Sequence, residues 1–221
     1  MVSIDNESLR EAHHRIANSL AILSGLVRMK AMRVSKQPDP LPAKEVEHLL
    51  ERICARLAAV AEVHRKLASN PDRDGVVELD EHLFEIAGSL IAALSESAQL
   101  HRIERCTRGC LVRTDHIEAV TLIVCEIVLN AMKHAHPAGV PLNLWVGCAA
   151  SDEGTLCVEV IDDGVGFPED FDPENSSGLG FRVVRSLAGQ IGATISFKST
   201  SLGTHFLLAL PDAVAAAAKV A

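Results

Sequence analysis

Several short runs carry residue types at spacings that could do chemistry. The first is Glu11-Ala12-His13-His14-Arg15-Ile16-Ala17-Asn18. An imidazole is substantially neutral, and so nucleophilic, near neutral pH. The second lies on a helix starting at Asp115. There Glu126, Asn130 and Lys133 share one face with His134 at its edge, opposite the apolar face of Ile117, Val120, Val124, Ile127, Val128 and Ala131. By itself that polar face reads as a solvated stripe. The third run, Asp162-Asp163-Gly164-Val165-Gly166, follows a strand ending at Ile161. Its two glycines let the backbone turn sharply and approach a ligand closely, and Asp162 can accept a hydrogen bond from an exocyclic amine. The fourth, Gly178-Leu179-Gly180, opens a helix whose free N–H groups and positive dipole end suit phosphate. The fifth, Gly203-Thr204, begins the last strand.

Helical phase separates the two histidines. Leu9, His13, Ile16 and Leu20 follow one seam, so His13 points toward the packing face. His14 lies about 100° further round and can face solvent. Six cysteines, at 54, 106, 110, 125, 148 and 157, form no C-x-x-C pair and read as small buried hydrophobes. Cys106 and Cys110, with His101 and His116 nearby, lack the spacing of a zinc motif.

These residues need elements to hold them. Leu9, Ile16, Leu20, Leu23, Val27 and Val34 recur at three- and four-residue steps or their multiples, and so do Val46, Leu49, Ile53, Leu57, Val60, His64 and Leu67. That is the period of helices packed along a seam. Pro38, Pro40 and Pro42 interrupt the two stretches and force a turn, giving an antiparallel hairpin. A lone hairpin buries one face of each helix, so a homodimeric four-helix bundle is expected. The polar run 70–76 marks a domain boundary. Beyond it the spacing predicts a helix over 79–97 and two short strands within 101–113 around Gly109. A long helix from Asp115 follows, with Glu118 as a capping-box partner. Strands are expected over 142–148 and 155–161, a helix over 179–191, and a closing hairpin over 193–198 and 204–210. The expected fold class is α+β: an N-terminal helical hairpin over 1–70, then an α/β sandwich over 76–211. The Ala-rich tail 212–221 is expected to be disordered.

Composition narrows the function. Of 221 residues, 48% are hydrophobic and 23% charged, which is a globular balance. A net charge of -8 argues against nucleic acid or an anionic membrane as partner. No apolar run approaches the roughly 20 residues that span a bilayer, and no basic-then-apolar leader opens the chain. A cytoplasmic location is the expectation.

Taken in order, Asn130, D-x-G-x-G at 162–166, G-L-G at 178–180 and G-T at 203–204 resemble the ATP-binding domain shared by histidine kinases, gyrase-type ATPases, Hsp90 and MutL. The resemblance covers roughly 76–211. It implies that Asn130 ligates Mg²⁺ and that Asp162 hydrogen-bonds the adenine amine. Gly164 and Gly166 would line the adenine pocket, Gly178 and Gly180 would border the phosphates, and Thr204 would support the adenine end. Glu126 stands where the family places a catalytic or polarising acid. Lys133 would contact phosphate, and 167–177 would be a short lid.

Residues 11–18 resemble the E-x-x-H-R-x-x-N phosphoacceptor box of a bacterial sensor histidine kinase subfamily close to the HWE kinases. The motif aligns His14 as the acceptor. The resemblance implies ATP-dependent autophosphorylation of His14, then transfer to an Asp of a response-regulator receiver domain. Arg15 would help neutralise phosphate charge. Glu11, one turn earlier, either orients the ring and takes its proton or is a solvated first-turn acid. Asn18, one turn later, is where some related kinases position water for a phosphatase step. Three departures stand out: Ala17 replaces the usual Lys, the glycine box reads G-L-G-F, and the Trp-x-Glu box is absent, which places the chain beside the HWE group. A histidine phosphotransferase without ATP-driven activity is the alternative, and a Ser/Thr anti-sigma kinase with the same ATP fold a more distant one. With no sensor motif recognisable, the signal is expected to arrive through a separate partner, through the bundle, or not at all.

Overall fold

The computed structural model describes residues 6–37, 39–69, 76–94, 102–105, 110–136, 140–151, 153–176 and 178–214. The two apolar-periodic stretches wind into long helices, α1 (Asn6–Val34) and α2 (Ala43–Ser69). The proline-interrupted turn separates them, and the Pro42 carbonyl starts α2 by accepting from the N–H groups of Glu45 and Val46 at 2.9 and 3.1 Å. Much of the predicted seam stays open. Ile16, Leu20, Val27, Val46 and Leu57 are exposed, whereas Leu23, Ala59, Val60 and Val63 are buried.

Past the hairpin come β1 (Val76–Glu78), α3 (Leu79–Leu94), β2 (Arg102–Arg105) and β3 (Leu111–Arg113). They are followed by α4 (Ile117–His134), β4 (Asn143–Ala150), β5 (Leu156–Asp162), α5 (Leu179–Ile191), β6 (Thr194–Thr200) and β7 (Gly203–Leu210). A five-stranded sheet runs in the order β2-β4-β5-β7-β6, with β2 parallel to β4 and the other pairs antiparallel. A separate antiparallel pair joins β1 to β3. Alternation aims Leu156, Val158 and Val160 of β5, and Phe206, Leu208 and Leu210 of β7, into the core. Helices α3, α4 and α5 cover that face of the sheet, and α2 packs on the outer side of α4. This is a mixed helix and sheet architecture with N-terminal helices.

Helix α4 is the axis of the molecule. Every residue from Val120 to Leu129 is buried, the pattern of a helix covered on all sides. The expected polar face of α4 is therefore only partly solvated: Glu126 lies in the interior because α2 covers it. The expected capping box is also absent. A 3-10 turn, Thr114–His116, leads into α4 and no side chain caps the helix. Asp115 pairs instead with the nearby Arg113 at 2.6 Å. At the C-terminal side, Ala213 is buried and Val214 bridges Val112, so packing continues past 211 before the described residues end. Cys110, Cys125 and Cys148 are buried as expected, but Cys54 is exposed. Burial pushes the Cys125 thiol up to about 12, which makes it inert. His101 and Cys106 lie outside the described residues.

Candidate functional site

A cavity of about 560 Å³ opens beside the C-terminal half of α4. Asn130 and Lys133 reach it from α4, Asp162 from the end of β5, Gly166 from the following loop, Gly178 and Gly180 from the start of α5, and Thr204 from β7. Residues from five separate places in the chain thus meet on one concave surface.

Asp162 is held in a fixed pose. Its Oδ1 accepts from the N–H of Gly164 at 3.0 Å and of Thr204 at 3.1 Å. Oδ2 is therefore left for an external donor. Burial raises the carboxyl's pKa above its ordinary value; the two N–H groups and His136 oppose this, while Asp163 adds to it. Gly164 leaves no room for a side chain, because a Cβ there would collide with Ala135. It packs against Ala135 and is not among the residues lining the cavity, contrary to the expectation that it forms the pocket wall. Gly166 has φ +72° and does line it. Asp163 was not singled out from the sequence, yet it anchors this corner. Its Oδ1 takes His136 Nε2 at 2.9 Å and the Asn143 N–H at 3.0 Å, and its Oδ2 takes the Asn143 amide at 2.5 Å. Burial pushes its carboxyl up, but these bonds outweigh that and hold it below the ordinary range.

The segment 167–176 is fastened by aromatic packing. Phe167, Phe171, Phe181, Phe197 and Phe206 form a continuous cluster with ring centroids 5.0–6.0 Å apart. Arg185 of α5 adds two hydrogen bonds of 2.7 Å to the carbonyls of Pro173 and Ser176. The Phe that follows G-L-G is thus explained: Phe181 ties the glycine box to the segment and to β6. Five of the chain's six Phe residues take part, so the scarce aromatics are concentrated at this wall.

At the other edge, a Cβ on Gly180 would lie 3.1 Å from Glu126 Oε2 and 3.4 Å from the Asn130 amide. The glycine therefore lets the start of α5 approach both side chains. The Asn130 Nδ2 is buried with no hydrogen-bond partner, a polar atom facing a space that a ligand would fill. Glu126 itself does not line the cavity. Arg56 of α2 clamps it through Nε–Oε1 and through Nη2–Oε2 at 2.8 Å, both side chains being almost fully buried. Sequence reasoning missed Arg56. The available signal was its place on the stripe Arg56, Ala59, Val60 and Val63, where the three other positions are apolar.

Glu11, His14, Arg15 and Asn18 lie on the N-terminal half of α1; their side chains fall outside the described residues. The cavity is lined on the hairpin side by Lys30, Arg33 and Arg52, which come from further along α1 and from α2. Among the described residues no group of three or more His, Cys, Asp or Glu is placed to hold a metal ion. No helix there is long and apolar enough to cross a membrane.

The family described as "Histidine kinase" matches residues 11–94, and that described as "Histidine kinase-, DNA gyrase B-, and HSP90-like ATPase" matches residues 115–214. The chain belongs to the histidine kinases. It is 30% identical over 210 residues to the sensor histidine kinase PdtaS of Mycobacterium tuberculosis, covering 92% of this chain and 39% of that protein. To the blue-light-activated histidine kinase 2 of Erythrobacter litoralis it is 24% identical over 209 residues, 93% of this chain and 57% of that one. The chain thus spans well under two thirds of the curated relatives it matches. Among solved structures, the Erythrobacter litoralis EL346 blue-light activated histidine kinase superposes with a TM-score of 0.72 at 22% identity, over 96% of this chain and 62% of that one. At that identity the likeness speaks for the fold.

Proposed function

We propose that this chain binds ATP in the cavity beside α4, autophosphorylates His14, and passes the phosphoryl group to an Asp of a response-regulator receiver domain. The observation that carries the reading is the convergence of Asn130, Asp162, Gly166, Gly178, Gly180 and Thr204 on one cavity under a ready-built aromatic wall.

Each residue then has a task that follows from its setting. Asp162 presents Oδ2 to the adenine amine while two backbone N–H groups hold Oδ1. Gly166, Thr204 and the Phe cluster enclose the base. The start of α5 at Gly178 and Gly180 offers N–H groups to the phosphates. Mg²⁺ bound with ATP needs only one or two protein ligands beside the phosphate oxygens, and Asn130 would supply one. Bound there, the ion would supply charge neutralisation. Lys133 adds a positive charge at the rim. The imidazole of His14 attacks the γ-phosphorus in line, the bond to the β,γ-bridging oxygen breaks, and ADP leaves. Such transfer depends on positioning and charge neutralisation, to which Arg15 contributes. Glu11 orients the ring or takes its proton, and Asn18 positions water for the reverse, phosphatase step. Glu126 acts as the polarising acid, and because Arg56 holds both its oxygens, this role follows separation of α2 from α4. The open apolar stripe of Ile16, Leu20, Val46 and Leu57 supports assembly as a homodimeric bundle. The hairpin, the sandwich over 76–211 and a separate sensory partner complete the reading.

The test is labelling of the purified chain with γ-labelled ATP and Mg²⁺, beside His14→Ala, His13→Ala and Asn130→Ala. The expected label is acid-labile and base-stable, lost in His14→Ala and Asn130→Ala and kept in His13→Ala. A wild type that takes no label from ATP, but takes it from a phosphorylated receiver domain, would mark a histidine phosphotransferase instead.

A further inference from the structure

The hairpin side of the cavity is rich in cations with few acids to match them. Lys30 and Arg33 of α1 and Arg52 of α2 line the cavity with Lys133 of α4. Glu126 pulls on Lys30 and Arg52, and Glu45 on Lys133. Glu126 is held at both oxygens by Arg56. The charges press on one another. Lys30 is lowered to about 8, by burial first and then by Arg52, Arg56 and Arg33, against an opposing pull from Glu126. Arg52 is lowered by burial and by Arg56, against an opposing pull from Glu126. The Arg52 Nε is buried and has no hydrogen-bond partner. Lys30 and Arg52 are partly buried and share a carboxylate that Arg56 already holds at both oxygens, a costly arrangement, and a fork-shaped guanidinium beside a lysine suits an oxyanion.

We propose that the hairpin itself supplies nucleotide ligands: Lys30, Arg33 and Arg52 bind the phosphate end of the nucleotide that the sandwich holds by its base. This rests on the reading of the cavity as an ATP site. The phosphates then bridge the two parts of the chain. His14 precedes Lys30 by sixteen residues on one continuous helix, about 24 Å along the axis. A nucleotide held by these cations is a stored substrate, and transfer requires the sandwich to leave them. The cations therefore set affinity and not the chemical step.

The experiment is calorimetric titration of the full chain, with Mg²⁺, against a non-hydrolysable ATP analogue, ADP and adenosine. The variants are Lys30→Gln with Arg52→Gln, Arg33→Gln, and Asp162→Asn as the control for the base pocket. In the double variant the analogue is expected to bind at least about tenfold more weakly, as befits loss of charge-assisted bonds. ADP should lose less, and adenosine should bind as in wild type, which also shows the variant is folded. Lys30→Arg should restore part of the loss. Analogue affinity within twofold of wild type, with Asp162→Asn still deficient, overturns the proposal and leaves the ATP site standing. Equal losses for adenosine and analogue also overturn it, by showing a structural role. A wild type that binds none of the three ligands removes the ATP-site reading, and this proposal with it.

Discussion

The two halves of the chain bury their apolar residues in opposite ways. In the sandwich, Phe206, Leu208, Val184 and Ile123 are wholly enclosed, and α4 has an unbroken buried stretch. In the hairpin, helices of similar apolar periodicity leave Ile16 at 42%, Leu20 at 55% and Leu57 at 45% exposed. The sandwich closes its own core because a sheet and three helices enclose a volume. Two helices enclose none, and the hairpin's buried residues are largely those on the side of α2 that faces α4. A periodic apolar stripe therefore says that a face will be covered, but not by what.

The largest expected contrast is between the two apolar sets. Phe206→Ala should cost about 3–5 kcal/mol of stability, as buried aromatic deletions do. Leu20→Ala should change the unfolding free energy of the single chain by less than about 1 kcal/mol, since the side chain is already in water. Denaturant unfolding at low protein concentration measures both, and equal costs would erase the contrast. The contact between the halves is tested by Arg56→Ala. It strands a buried carboxylate and should destabilise by about 3–5 kcal/mol, while Arg56→Met combined with Glu126→Leu should recover most of that. Failure of the double replacement to recover stability would show that shape, not charge, joins α2 to α4.

Within the site, Asp163→Ala removes the acceptor of three hydrogen bonds and should cost about 2 kcal/mol by thermal or denaturant unfolding. Because the Asp163 carboxyl is depressed, its contribution is present above the ordinary carboxylate pKa and is lost only as pH falls through its lower folded value. Phe171→Ala should cost about 1 kcal/mol globally, yet speed hydrogen exchange across 167–176, a local effect that unfolding curves would miss. The smallest effect concerns pH. The Asp162 carboxyl is raised, so as pH falls it gains a proton at a higher pH than an ordinary Asp and would lose the acceptor role proposed for it. Nucleotide affinity should then decline on acidification before stability does, and a flat affinity profile down to the ordinary Asp range would count against the assigned role.

Much of this was legible in the chain. The alternation of β5, the two helical periods of the hairpin and the glycine boxes have local causes: pleat, helical turn and steric freedom. Element ends moved by a residue or a few, as ends set by fraying and caps do. What sequence reading misplaced was long-range. Glu126 was assigned to a polar face because its own helix puts it opposite Val124 and Val128, and nothing within α4 reveals Arg56, seventy residues earlier in the chain. Gly164 was assigned to the pocket wall by its place in D-x-G-x-G, whereas Ala135 lies against it. The Phe after G-L-G stands out in the sequence only as a departure from the family pattern, and its role comes from the three other rings that pack against it.

The sequence by itself determined the order of the boxes and the helical periods of α1 and α2, because these depend on residue type and spacing along the chain. Only the tertiary structure decided that Arg56 closes on Glu126, that four clustered phenylalanines line the cavity with Phe206 behind them, and that Lys30, Arg33 and Arg52 reach it. Each of those contacts joins residues far apart in the chain, and the packing of α2 against α4, not any local preference, brings the hairpin cations to the site.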